Sequence, residues 1–284
     1  MAGPAVAGFV LFNLGPMLAS AYLSLTRYDV VTRPEFIGID NYTYLLADDP
    51  AFWPSVRVTL VYAGVSVPLG LALSLSLALL LNRRVRLLGA FRTIYFLPSL
   101  LPATASAVVW VYIFHPTQGL LNRLLAQAGV QGPAWTMSVD WALPALIIMG
   151  LWGFGGAMVI FLAGLQDVPR SLYEAAELDG ANTFQQFRHV TFPILSPVVF
   201  FNLVMGLIGA LKAFDSAYVF GMTSTGVPGG PARATLFYVL NLYLTAFNYF
   251  HMGLASAMAW LLFVTIVLLT WLNFRLARRW VHSG

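Results

Sequence analysis

Cysteine is absent from this 284-residue chain, and charge is scarce, with 15 lysines and arginines and 11 aspartates and glutamates making 9% of the residues. Without cysteine there is no disulfide framework, no thiol nucleophile and no thiolate metal site. A soluble domain keeps about a quarter of its residues charged, because its surface must face water. Here 59% of the chain is hydrophobic and the mean hydropathy is +0.78. A soluble globule, a disordered chain, a collagen and a disulfide scaffold are all excluded. What remains is an all-α, polytopic membrane protein.

A helix needs about 20 apolar residues to cross a hydrocarbon core roughly 30 Å thick. Charge-free or nearly charge-free runs predict spans near 5–26, 58–82, 93–114 and 141–166, and a fifth from 190 past Lys212 and Asp215 to about 220. The last run, 234–274, is long enough for two spans, about 234–250 and 252–274. Loop charge arbitrates. With six spans and the N-terminus inside, the inner segments 82–92, 165–189 and 275–284 hold Arg83, Arg84, Arg86, Arg92, Arg170, Arg188, Arg275, Arg278 and Arg279. The outer side holds Arg27, Arg33, Arg57, Arg123 and Arg233. A seventh span would put the arginine-rich tail outside, against the positive-inside tendency. Six transmembrane helices are therefore expected, with 234–250 an amphipathic, aromatic-rich segment at the outer interface and both termini cytoplasmic. Almost no polar tail precedes the first span, a pattern expected where the true start lies further upstream, and the stretch is too long and weakly flanked for a cleaved signal peptide.

Proline punctuates the spans at Pro16, Pro68, Pro98, Pro102, Pro144 and Pro197. Neighbouring helices satisfy the backbone groups such residues free, so ordinary kinking is the expectation. In GLWGFGG (150–156), four glycines in seven residues let another backbone or a ligand approach closely.

The inner segment 165–193, LQDVPRSLYEAAELDGANTFQQFRHVTFP, does not read as a linker. Pro169 after Asp167 suits a helix start with an acid near the positive end of the dipole. The helix would run through RSLYEAAELD and stop at Gly180, where the left-handed conformation is readily adopted. Leu172, Ala175 and Ala176 share one face, and Glu174 and Glu177 another. A second short helix with Phe184 and Phe187 on one side would follow, before Pro193 opens the fifth span. Such a hairpin could lie on the lipid surface or dock into a soluble partner. Its acidic face suits an anionic inner leaflet poorly, which favours docking.

This stretch also resembles the EAA signature of ABC importer permeases, whose core is Glu-Ala-Ala, three residues, Gly, then an apolar residue and Pro. Glu174, Ala175, Ala176, Asp179, Gly180, Phe187, Val190 and Pro193 fall in register, with Phe192 where leucine is usual. FIGIDNYTYLL (36–46), FRTIYFLPSLLPATASAVVWVYIF (91–114), FLAGLQDVP (161–169), FDSAYVF (214–220), VPGGP (227–231) and GLASAMAWLLF (253–263) are similar to the sugar-importer branch of that family. The resemblance spans nearly the whole chain. It implies a non-catalytic transmembrane subunit of a type I ABC importer in a bacterial or archaeal cell membrane. The EAA element would be the coupling helix, with Glu174 its charged anchor and Gly180 the turn that sets the next helix. It further implies a separate ATP-binding cassette subunit dimer that binds ATP and Mg, a second permease subunit, usually a different chain, and an extracytoplasmic solute-binding protein that delivers a sugar. No nucleic-acid partner is expected.

The chain carries no engine of its own. A phosphate-binding loop would end in Gly-Lys-Ser/Thr, and the only lysine, Lys212, sits in GLIGALKAF. His115, His189, His251 and His282 lack metal-ligand spacing, and there is no G-x-S-x-G elbow with triad partners. Lys212 and Asp215, spaced i, i+3 in or beside the fifth span, could face a polar path or pair internally. Trp152 and Phe154 could present flat faces to a sugar ring, or pack against neighbours and lipid. The resemblance puts substrate contacts near 150–158 and 209–216, which adds Gly209 and Ala213 and leaves much of the contact to a partner chain. With only one basic group near the path, neutral sugars are expected over glycerol phosphate. An ion-coupled secondary transporter would show inverted repeats and midplane ion ligands, and no convincing repeat is seen; a scaffolding subunit is the third reading. The expected organisation is a first helix and outer loop over 1–55, a permease core over 56–275 with its coupling loop at 165–193, and a basic cytoplasmic tail over 276–284.

Overall fold

The computed structural model describes residues 3–82 and 87–278. Arg83, Arg84 and Arg86 of the expected inner loop, and Arg279 and His282 of the tail, lie outside the described residues. Thirteen helices, with α6 (Leu120–Gln127) among the shorter ones, a 3₁₀ turn at Pro231–Arg233 and one two-stranded ribbon are found among those described. Four are long and apolar enough to cross a membrane singly: α1 (Gly3–Leu23), α3 (Phe52–Leu81), α10 (Thr183–Leu211) and α13 (Met252–Ala277). Two bent pairs bring the number to six if each is one span: α4 (Leu88–Leu100) with α5 (Ala103–Ile113), and α7 (Val139–Leu151) with α8 (Gly155–Gln166).

α1 buries no residue and leans chiefly on α13, so its apolar surface faces outward along its length. The loop after it is tied by side chains. β1 (Thr26–Arg27) and β2 (Glu35–Phe36) pair antiparallel, and α2 (Asp40–Ala47) supplies Asn41, whose Nδ2 donates to the Ser24 and Thr26 carbonyls, each at 2.9 Å. Within that loop Asp29 accepts from the Thr32 hydroxyl and N–H, which together hold its carboxyl below the usual range.

α3 is the central post, packing on α7, α8, α10 and on α12 (Tyr238–Tyr243, extended by a wide turn Leu244–Asn248). Lipid is as apolar as leucine, so helices here associate through close van der Waals packing, which small side chains permit. Ala63, Val67 and Ala210 form such a contact between α3 and α10. Two larger clusters stand at opposite ends of the bundle. One surrounds Phe161, Met158 and Leu195 toward the end carrying 165–193. The other surrounds Phe114, Leu146, Phe220 and Phe237 at the far end.

Four local expectations are corrected. The third span is broken, not kinked: its halves meet at 99°, with Leu101 extended (φ −74°, ψ 138°) ahead of Pro102. The proline ring disfavours helical geometry in the residue before it, which turns this site into a break. Pro68, Pro144 and Pro197 by contrast sit inside continuous helices. The fifth span does not continue to 220. It ends at Lys212 (φ −98°, ψ 9°), Phe214 is non-helical (φ −138°, ψ −64°), and a separate α11 (Asp215–Thr225) packs on α5. The short helix before Pro193 is not separate either. Residues 183–211 run as one helix with a wide turn at Phe187–Thr191, which eases the clash between the Pro193 ring and the carbonyl four residues back. Segment 234–250 is packed into the protein over 234–246, and only Phe247, Tyr249 and Phe250 at its end are exposed aromatics. Leu236, Phe237, Tyr238, Leu240 and Asn241 are buried, the Tyr238 N–H donates to Thr59 Oγ1 at 2.8 Å, and its hydroxyl donates to the Met258 carbonyl at 2.8 Å.

Candidate functional site

Two features carry chemistry. The first is α9 (Arg170–Leu178), which stands off the bundle. Pro169, extended at ψ 130°, caps its start, and none of its residues is buried. Glu174, Ala175, Asp179 and Gly180 are exposed and Ala176 is half-buried. Its end is a Schellman turn: the Ala181 N–H reaches the Ala176 carbonyl at 2.9 Å and the Gly180 N–H the Glu177 carbonyl at 3.0 Å, with Gly180 at φ +78°. A capping box follows at once, the Asn182 side chain accepting from the Gln185 N–H at 2.9 Å while Gln185 accepts from the Asn182 N–H at 2.8 Å. Helix end and helix start are thus welded through four residues, which fixes the angle between α9 and α10. Tyr173 and Thr191 share a hydroxyl hydrogen bond of 2.9 Å that anchors α9 to α10. Leu178, 90% exposed, and Phe184, 69% exposed, project beside the acidic residues. An acidic helix rimmed by bare apolar side chains is a surface shaped for a protein partner.

The second feature is a groove of about 250 Å³ between the two core clusters, where α3, α10 and the α7–α8 bend meet. The bend, 44° at Trp152–Phe154, comes from the glycine-rich cluster noted in the sequence. Phe154 lines the groove from the bend, and Gly209 and Ala213 line it from α10 and the residues just beyond. Trp152 faces a neighbouring cavity of about 250 Å³ instead. Lys212 and Asp215 are exposed and line neither space, and they form no ion pair; among the described residues the one ion pair is Arg27–Glu35 at 3.9 Å.

The wall supplied by α3 was missed in the sequence. Tyr62, Ser66, Gly70 and Ser74 recur every fourth residue along one face of an otherwise apolar span, and all line the groove. That polar and small stripe was the available signal. Ser74 Oγ lies 2.7 Å from the Gly70 carbonyl and 3.0 Å from that of Phe154, so it tethers α3 to the bend. Asn202 on α10, almost buried, donates to the Val198 carbonyl at 2.9 Å. A side chain at Gly150 would place its Cβ 2.7 Å from the Tyr62 hydroxyl, so the tyrosine would have to shift to admit one. No charged side chain lines the groove, and among the described residues no cluster of histidine and carboxylate could hold a metal.

Four to six apolar spans, a small-residue groove through their midst and an exposed acidic helix at one end fit a membrane component of a transport system. The chain belongs to the family described as "Binding-protein-dependent transport system inner membrane component", whose pattern matches residues 67–282. It is 42% identical to the "Probable ABC transporter permease protein YesP" of Bacillus subtilis, over 98% of this chain and 89% of that one. It is 36% identical to the "Trehalose/maltose transport system permease protein MalF" of Thermococcus litoralis, over 97% and 91%. In fold it is similar to a chain of the crystal structure of a bacterial alginate ABC transporter in complex with an alginate pentasaccharide-bound periplasmic protein. That match has a TM-score of 0.83 and 22% identity, and it covers 99% of this chain and 93% of the other. The chain is therefore a membrane-embedded permease subunit of the ABC importer type.

Proposed function

We propose that this subunit forms one half of the path for a neutral mono- or oligosaccharide and is driven by a separate ATP-binding cassette subunit dimer. The observation that carries the coupling is α9: an EAA-bearing helix with no buried residue, held at a set angle by the Schellman turn and capping box. Glu174, Ala175, Ala176, Asp179 and Gly180 would seat in a cleft of the ATP-binding subunit, Glu174 meeting a basic group there. ATP and Mg would be bound by that partner. A second permease subunit would close the open side of the groove, and an extracytoplasmic solute-binding protein would load it. The cell membrane, with both termini on the cytoplasmic side, is the corresponding location.

Two relatives support a saccharide substrate through their names, one for trehalose and maltose and one for alginate. The groove supports a neutral one, since hydroxyls, an amide and glycine backbone line it and no cation does. Glycerol phosphate would want basic groups around its phosphate, and Lys212 stands away from both spaces. An ion-coupled carrier would want carboxylates in the path, and none lines it. Closure of the ATP-binding dimer would swing α9, and the rigid α9–α10 junction would pass that rotation to the spans.

Co-expression with the ATP-binding subunit tests the reading. The wild-type chain should bring that subunit through purification, and Glu174→Ala should cut recovery and sugar-stimulated ATP hydrolysis at least several-fold while Glu174→Asp retains part of both. Unchanged co-purification and uptake in Glu174→Ala would overturn the coupling role.

A further inference from the structure

Beside the groove lies the second cavity, also about 250 Å³, roofed by the break between α4 and α5 and floored by the α7–α8 bend. Tyr62, Gly150 and Gly153 line both spaces, so the two adjoin across a neck made of one phenol and two glycines. Its own wall has a different character. Ser99 from the end of α4, Ser106 from α5 and Ser216 from α11 bring three hydroxyls around the Trp152 indole. The Ser99 hydroxyl is satisfied by the Phe96 carbonyl at 2.6 Å, whereas the Ser106 and Ser216 hydroxyls have no hydrogen bond to another described residue. Trp110 packs edge-on against Trp152, with ring centroids 5.8 Å apart.

An aromatic platform flanked by two uncommitted hydroxyls, with no charged side chain, matches the alternating apolar faces and hydroxyl edges of a sugar ring. Size argues the same way. Ordinary small-molecule sites hold roughly 300–1,000 Å³. Each space alone falls short of that range, and only the two together enter it.

We propose that this second cavity is a further saccharide subsite, so that groove and cavity hold two linked sugar rings at once and the substrate is a disaccharide or longer. This rests on the saccharide reading above. The neck passes the glycosidic linkage under Tyr62, and the break at Leu101–Pro102 is what exposes Ser99 and Ser106 to the second ring. A regular helix through 88–113 would close that face.

The cysteine-free chain suits a direct test. Ser66→Cys places a thiol in the groove, and Ser99→Cys and Ser216→Cys place one in the second cavity. Each is made in the transporter assembled with its ATP-binding subunits, partner permease and solute-binding protein. A small methanethiosulfonate reagent then labels this chain, read by mass. Glucose, galactose, arabinose, maltose, lactose and maltotriose are tested for uptake and for protection. Expected is a transported disaccharide or trisaccharide that protects all three positions. Protection at Ser66→Cys alone, or uptake confined to monosaccharides, overturns the second subsite and leaves the saccharide path intact. Absence of uptake and protection for every sugar overturns the saccharide path itself. Ser216→Ala, which removes a single oxygen, gives an independent readout. KM for the transported disaccharide should rise about 5–10-fold with kcat unchanged, the worth of one hydrogen bond. An unchanged KM counts against the subsite.

Discussion

Gly180 holds the turn between α9 and α10 together through its backbone alone. At φ +78° an alanine would pay roughly 1–2 kcal/mol for the left-handed conformation, and the Schellman turn would open. Gly180→Ala should therefore loosen the α9–α10 angle. ATP-binding subunit recovery should fall only modestly while ATP hydrolysis uncouples from uptake, which a ratio of sugar transported to ATP consumed would measure. An unaltered ratio would show that the angle is not set here. This residue was legible beforehand, because a glycine ending an amphipathic run has few other uses. Tyr62 was not, since nothing in its neighbourhood distinguishes it until Gly150 is seen beneath its hydroxyl.

Among the elements, α12 shows how polar groups do structural work in an apolar protein. Its first N–H has no place in a helical ladder, and Thr59 of α3 accepts it at 2.8 Å. Thr59→Val keeps the shape and strands that buried donor, at a cost of about 1–3 kcal/mol. The purified complex should melt at lower temperature, with sugar KM unchanged because Thr59 does not line the groove. Equal melting temperatures would mean that another acceptor takes over. The aromatic content of 234–250 had suggested an interfacial segment. Aromatic side chains suit both an interface and a core, and only the partners offered by α3 and α13 decide between them. The third span teaches a similar lesson. Prolines recur through the spans, yet the sharp break comes at Pro102, where a short 3₁₀ turn and extended Leu101 leave the helix no way through.

At the scale of the whole molecule, the open side of the groove and the exposed Lys212 point outward from one chain. Lys212 follows Leu211, within one turn of the Ala63–Val67–Ala210 contact, and so sits beside apolar span surface without a partner among the described residues. A charge in that setting needs polar company. We expect the second permease subunit to supply it. Lys212→Met should then reduce recovery of that subunit while leaving sugar KM unchanged in the complexes that form. A raised KM with normal assembly would instead return Lys212 to the path.

The sequence by itself determined the class, the apolar spans and the exposed helix that bears the EAA signature, because these depend on local quantities: apolar run length, charge placement and the spacing of a short motif. Tertiary structure decided where the groove runs. A groove is a relation among α3, α10 and the α7–α8 bend, and no single run of residues announces it. It also separated Phe154, Gly209 and Ala213, which line the groove, from Lys212 and Asp215, which do not. Side chains a turn apart on one helix can face different neighbours, and spacing along the chain does not say which neighbour is there.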